Sequence, residues 1–253
     1  MAAPLPNHPQ LRGNYGPINF EASYDDIVIE GTVPPDLSGS LYRIGPNPKF
    51  VEGTYHWFFG AGMVHAFHMD QGKVGYVNRW VRTPKFEKEI ELGRGLSLDI
   101  NINSETGQIE SNRRNGVANT HILAHGDHLV ALEEGSHPFS MDPQTLGSEG
   151  YGHYADGIKG AMTAHPKIDP ETGELHGFGY MTDHFGSNTM TYHVIDRNGR
   201  MLRSDVFEAP YAAMVHDFMI TRDYVIFPLF PLTCDLDRVA QFGFPFAFDQ
   251  SAG

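Results

Sequence analysis

Along this chain apolar residues recur at every second position over short runs, and clusters of Gly, Asp, Asn and Pro break those runs. "MVHAFHM", "DQGK" and "VGYVNRWV" read as strand, turn, strand. "THILAH", "GD" and "HLVALEE" repeat the unit, with Gly126 and Asp127 as the turn residues that tolerate positive φ. The unit returns in "PFSM-DPQTLG", "HPKI-DPETG-ELHGFGYM", "TYHVI-DRNG-RMLRSDVF" and "HDFMI-TRD-YVIFPL". Little recurs at helical spacing. The pattern predicts an all-β fold and excludes a Rossmann architecture, which needs helices between its strands. Phe242, Phe244, Phe246 and Phe248 alternate near the end and predict one buried strand face.

Hairpins in such number suit a sandwich, a barrel or a propeller. "AHPKIDPETG" and "VHDFMITRDY" each put a histidine at the start of a strand that runs into a tight turn. His165 and His216 are 216 − 165 = 51 residues apart, close to the roughly 40 to 50 residues of a four-stranded blade, which favours the propeller. Equivalent positions on successive blades face the central axis, where two neutral imidazoles can share one ion of Fe, Zn, Cu or Ni. Spacing alone leaves open two unrelated histidines that end strands and bond to backbone.

The chain has 253 residues, 40% hydrophobic and 12% aromatic, enough to bury a core without staples. Cys234 is the only cysteine, so a disulfide framework and Cys-based zinc or iron-sulfur sites are excluded and a reducing, cytoplasmic compartment fits. The start "MAAPLPNHPQLRGNYGP" lacks the cationic-then-apolar order of a secretory signal, and the apolar run "YVIFPLFPL" is short and broken by prolines. With 31 acidic against 18 basic residues, the net charge of −13 repels a phosphate backbone, so nucleic acid is not expected as a partner.

Several segments, in order, resemble the carotenoid cleavage oxygenase family: "GTVPPDLSGSLYRIGPNP", "YHWFFGAGMVHAFHMDQGKVGYVNRWVRT", "NGVANTHILAHGDHLVALEEGSHPFSMDPQTL", "TAHPKIDPETGELHGFGY" and "VHDFMITRDYVIF". The resemblance runs from near the start to about Arg238. It implies a seven-bladed β-propeller with one Fe(II) on its axis, held by four histidines and no carboxylate. His165 and His216 match the first and second of those ligands. Glu134 in "ALEEGSHPF" matches a family glutamate that accepts the other ring N–H of a ligand; its expected partner is His216, not His165. The family's third and fourth histidines have no counterpart here. The expectation is a single β-propeller domain over residues 1–253, truncated to an N-terminal portion and exposing an apolar seam and unpaired strand edges. Ala61 departs from the acidic residue usual at its place, a turn variation without bearing on iron.

The remaining histidines read as structural. His121, His125 and His128 are separated by a hairpin turn, and the family places them away from iron. His65 and His68, three apart, point to opposite faces of a strand. Asp217 is expected to make a backbone or turn contact. The resemblance implies an iron dioxygenase that splits a conjugated carbon-carbon double bond into two carbonyl products with O2 and no organic cofactor. Two alternatives stand beside it: a non-catalytic propeller or pseudoenzyme fragment that binds a partner or an apolar ligand, and a propeller hydrolase with another metal. Stilbene-cleaving members carry a lysine just before the glutamate, helped by a loop tyrosine, to hold a phenolate. Glu133 stands at that lysine position and the loop "GLSLDINI" has no tyrosine, which favours an apolar polyene over a stilbene. The stretch from Phe227 to Phe248 would then add a peripheral membrane contact.

Overall fold

The computed structural model describes residues 5–53, 55–96, 100–102, 109–111, 113–240 and 244–252. In chain order come β1 (Ala22–Tyr24), β2 (Gly39–Pro46), β3 (Gly62–Asp70), β4 (Lys73–Trp80), helix α1 (Pro84–Leu92), β5 (Ile100–Ile102) and β6 (Ile109–Ser111). Next are β7 (His121–His125), β8 (His128–Leu132), β9 (Phe139–Met141) and β10 (Ser148–Tyr151). β11 (Lys167–Ile168), β12 (Leu175–Tyr180), β13 (Thr189–Ile195) and β14 (Met201–Glu208) follow. The last elements are β15 (Met219–Ile220), β16 (Val225–Ile226), β17 (Leu232–Cys234), α2 (Leu236–Ala240) and β18 (Phe246–Phe248).

These strands make three four-stranded antiparallel sheets, ordered β1-β4-β3-β2, β10-β9-β8-β7 and β11-β12-β13-β14, with three two-stranded sheets besides. The mostly β architecture expected from the alternating pattern is the one found. Turn chemistry sets the registers: Gly72, Gly126, Gly173 and Gly199 all take positive φ between paired strands. Asp127 does not share that conformation, so Gly126 alone carries the positive φ of its turn.

Helix α1 interrupts the β pattern and was not anticipated, although its signals are local. Thr83 accepts the Phe86 N–H at 3.3 Å, Pro84 opens the first turn, and Gly93 closes the helix in the left-handed region at φ 67°. Its buried Lys85 and Glu89, one turn apart, form an ion pair, and Glu89 also accepts the Leu96 N–H at 2.9 Å. No helix among the described residues is long and apolar enough to cross a membrane.

The chain divides into two compact units. One comprises Met1–Leu98, Arg114–Glu133 and Pro138–Tyr154 and holds the first two sheets. Val64 and Ala66 of β3 pack there with Leu129, Ala131, Phe139 and Met141 of β8 and β9. The other comprises Asp99–Arg113, Glu134–His137 and Ala155–Gly253. Its core gathers Phe178, Met190, Ala209, Val215 and Phe218, with Phe227 stacked on Phe218 at 5.7 Å. Phe244 and Phe248 depart from the buried face expected of them, at 69% and 73% exposed, because β17 and β18 form only a two-stranded sheet; Phe242 lies outside the described residues.

His193, wholly buried in β13, bonds Ser204 across the ladder at 3.1 Å. Burial lowers its pKa from 6.5 to about 4, and nearby His137 adds to the shift. Unfolded chains take up this proton near pH 6.5 and the folded chain only near pH 4, so stability is fully present above the first value and lost as pH falls toward the second. The expected loss across that window is on the order of 3 kcal/mol. Urea unfolding of the chain and of His193→Gln, compared at pH 7 and pH 4, should show the acid slope reduced in the variant.

Candidate metal centre

Three side chains from distant parts of the sequence converge within the second unit. His165 follows buried Met162, Thr163 and Ala164; the Thr163 N–H bonds the Phe178 carbonyl at 2.5 Å, and the His165 N–H bonds Thr163 Oγ1 at 3.0 Å. Pro166 has no N–H to give a ladder. His165 therefore precedes β11 instead of lying in it, two residues ahead of Lys167. His216 likewise precedes β15, held between buried Val215 and Phe218, while Asp217 accepts the Phe218 N–H at 2.8 Å. Each histidine is thus the outward side chain of a segment whose neighbours are sunk in the core.

The two Nε2 atoms lie 3.0 Å apart, with ring centroids 4.5 Å apart. Nδ1 of His216 meets Oε1 of Glu134, and the other carboxylate oxygen, Oε2, accepts the Tyr180 hydroxyl at 2.8 Å. Both oxygens of Glu134 therefore already have partners, which suits it to orienting an imidazole. Among the described residues Glu134, His165 and His216 form the one group of three His, Cys, Asp or Glu whose ligand atoms all lie within 4.8 Å of one another. Two nitrogens, each about 2.1 Å from one ion and about 90° apart, would stand about 3 Å from each other, so the imidazole pair fits neighbouring positions on a single cation.

Burial raises the Glu134 pKa, and the Tyr180 hydroxyl and His216 work against that rise. The Tyr180 hydroxyl is pushed well above its ordinary value by burial and then by the Glu134 carboxylate, so it stays protonated and donating. Asp217 is pushed up by burial but held below its usual range by the Lys167 ammonium and the Phe218 N–H. Lys167 reaches Asp217 at 2.7 Å, linking the segment after His165 to the segment after His216. This ion pair is partly exposed, so its contribution is geometric more than energetic.

Tyr180, Lys167 and Arg113 had no role in the sequence reading. Tyr180 and Lys167 lie in the stretch that follows Thr163, but which oxygen they meet depends on tertiary contacts. The histidines read as structural are engaged elsewhere: His125 with the Tyr154 hydroxyl at 2.7 Å, His128 with Glu149 at 3.2 Å, His65 with Tyr76 at 2.8 Å and His68 with Ser40 at 2.7 Å.

Gly179 precedes Tyr180, and a Cβ there would fall 2.2 Å from the Ala161 carbonyl oxygen and 2.8 Å from Thr182 Cγ2. Gly179→Ala should cost about 1–3 kcal/mol in urea unfolding, because backbone must shift to admit it. Gly45→Ala, where the new methyl meets open space, should stay within about 0.5 kcal/mol of the unsubstituted chain.

The family model described as RPE65, retinal pigment epithelial membrane protein, matches residues 15–253. The isoeugenol monooxygenase of Pseudomonas putida is 38% identical over 236 residues, which are 92% of this chain and 49% of that protein. Resveratrol cleavage oxygenase 1 of Aspergillus fumigatus is 35% identical over 247 residues, 96% of this chain and 49% of that protein. Carotenoid cleavage oxygenase 1 of Neurospora crassa is 35% identical over 257 residues, 98% and 48% of the two chains. The chain spans about half the length of the curated relatives it matches. The solved lignostilbene dioxygenase of Pseudomonas brassicacearum matches with a TM-score of 0.85 and 36% identity, over 98% of this chain and 52% of that one. A cobalt-substituted Synechocystis ACO, an apocarotenoid oxygenase, matches with a TM-score of 0.65 and 33% identity, over 83% and 47%.

Proposed function

The chain belongs to the carotenoid cleavage oxygenase (RPE65) family, and on that premise we propose that the protein carrying it is an Fe(II)-dependent oxygenase that cleaves a conjugated carbon-carbon double bond. The observation that carries this reading is the approach of His165 Nε2 and His216 Nε2 to 3.0 Å with Glu134 behind His216. His165 and His216 hold the metal, and Glu134 accepts the His216 Nδ1–H, so that the Nε2 lone pair faces the ion. Fe(II) bound there supplies activation of O2 beside the alkene. The double bond becomes two carbonyl groups whose oxygens both come from O2, so the reaction balances without a reductant or an organic cofactor. The same reading makes residues 1–253 part of a single propeller domain.

In the full-length protein, His165→Ala or His216→Ala should remove most of the iron and essentially all turnover. Glu134→Gln should weaken both by about 10 to 100-fold. Iron content by atomic emission and product formation check this. For residues 1–253 alone little stoichiometric iron is expected, and tight one-to-one iron in that chain would show a different ligand set.

For the substrate, an aryl-conjugated alkene of phenylpropenoid or stilbene size is the first reading: the relative at 38% identity acts, by its name, on isoeugenol, one of the two at 35% on resveratrol and the other on a carotenoid, and the lignostilbene dioxygenase matches with a higher TM-score than the cobalt-substituted apocarotenoid oxygenase. A polyene is the second reading, favoured by Glu133, since a carboxylate in place of a lysine repels a phenolate. Exposed Phe230, Phe244 and Phe248 would then serve extraction from a lipid surface. A side-by-side assay of the full-length enzyme with a 4-hydroxystilbene and an apocarotenoid decides between them; the stilbene should be cleaved faster, and faster polyene cleavage would reverse the assignment without touching the iron chemistry.

A further inference from the structure

We propose that Tyr180 is a positioning residue for the Glu134–His216 pair and that Arg113 fixes the backbone on which it acts; the inference rests on the metal-site reading above. A glutamate at the end of a two-carbon arm can present either oxygen, at many angles, to an imidazole. Here the Tyr180 hydroxyl donates to Oε2 at 2.8 Å, which leaves Oε1 for His216 Nδ1. An N–H on Nδ1 puts the lone pair of a neutral ring on Nε2, the atom that faces His165.

The bond is held from both ends. One nitrogen of the Arg113 guanidinium, Nη1, donates to the carbonyl of Gly135, the residue after Glu134, at 3.1 Å. The other, Nη2, donates to the carbonyl of Met181, the residue after Tyr180, at 2.8 Å. The Arg113 carbonyl in turn accepts the His137 N–H at 2.8 Å. Met181 sits at φ 51° although it is not a glycine, a conformation that its buried surroundings must enforce. On the other side of Tyr180, the absent Cβ of Gly179 lets the Ala161 carbonyl press against the strand. Tyr180 also packs on the Phe178 and Met190 cluster, a contact that phenylalanine retains, so the hydroxyl is the separable part.

The test uses the chain labelled with nitrogen-15 histidine and Zn(II) as the probe, read at the His216 resonance, which His216→Gln identifies by its disappearance. Tyr180→Phe should weaken Zn(II) binding at His216 about 10-fold, the lower end of the range for partners outside the ligand set. It should also replace the Nδ1–H signature of that ring by a mixture of tautomers. Tyr192→Phe, which removes the hydroxyl that bonds His176 in the same sheet, should do neither. Arg113→Lys keeps the charge but loses the two-pronged grip and should weaken binding in the same direction by about threefold, which preserves the test if Tyr180→Phe fails to fold. Zn(II) affinity within about twofold of the unsubstituted chain in both variants, with the tautomer unchanged, overturns the inference. His165→Ala separates the two failures: if Zn(II) at His216 ignores it, the metal reading falls and the inference with it; if it abolishes binding while Tyr180→Phe is silent, the inference alone falls.

Discussion

The contact on which the site depends is the one between Nδ1 of His216 and the carboxylate of Glu134. A carboxylate removed from water is costly unless its oxygens are bonded, and the chain meets that cost with an imidazole on one oxygen and a phenol on the other. The rest of the local structure can be read as support for that arrangement. The Arg113 clamp on two carbonyls, the close approach at Gly179 and the packing of Val215 and Phe218 on either side of His216 all limit how far the three partners can drift. The sheets supply stiffness, and the side chains between them supply direction.

Histidine illustrates why composition is a poor guide to such a site. Each four-stranded sheet carries one histidine bonded to a tyrosine hydroxyl: His65 to Tyr76, His125 to Tyr154 and His176 to Tyr192. His68 and His193 bond serines across strand pairs. These rings, buried or half-buried, serve as polar struts that satisfy a hydroxyl and fill space together. What sets His165 and His216 apart is that their Nε2 atoms meet each other, a relation between residues 51 positions apart that no count reveals.

The strands and their turns were legible because they are encoded locally: alternation of apolar residues and glycines at positive φ act over a few positions. Helix α1 was equally local, and its Thr-Pro start and glycine end stood in the sequence unread among strand signals. Spacing and strand-start position singled out His165 and His216 but left their role open; the resemblance that spans long segments supplied that role, and Glu134 with it. Tyr180 and Arg113 were out of reach for a different reason. One donates to a side chain 46 residues earlier and the other to a backbone carbonyl 68 residues later, and neither contact leaves a periodic trace. The Phe-rich end shows the reverse failure, since alternation predicts a shared face but not whether anything covers it.

The three converging residues come from positions 134, 165 and 216, so their spacing in sequence is 31 and then 51 residues. A chain that has not yet closed both loops has scattered imidazoles and no group at all. Loop closure of this length is an entropic expense that local hairpins do not carry, so the His–His–Glu cluster is expected to assemble after the hairpins. A cation taken up by these imidazoles would consequently be captured late in folding. A divalent ion present during refolding would leave the rate of collapse untouched and act afterwards, by drawing the finished fold away from its unfolded competitors.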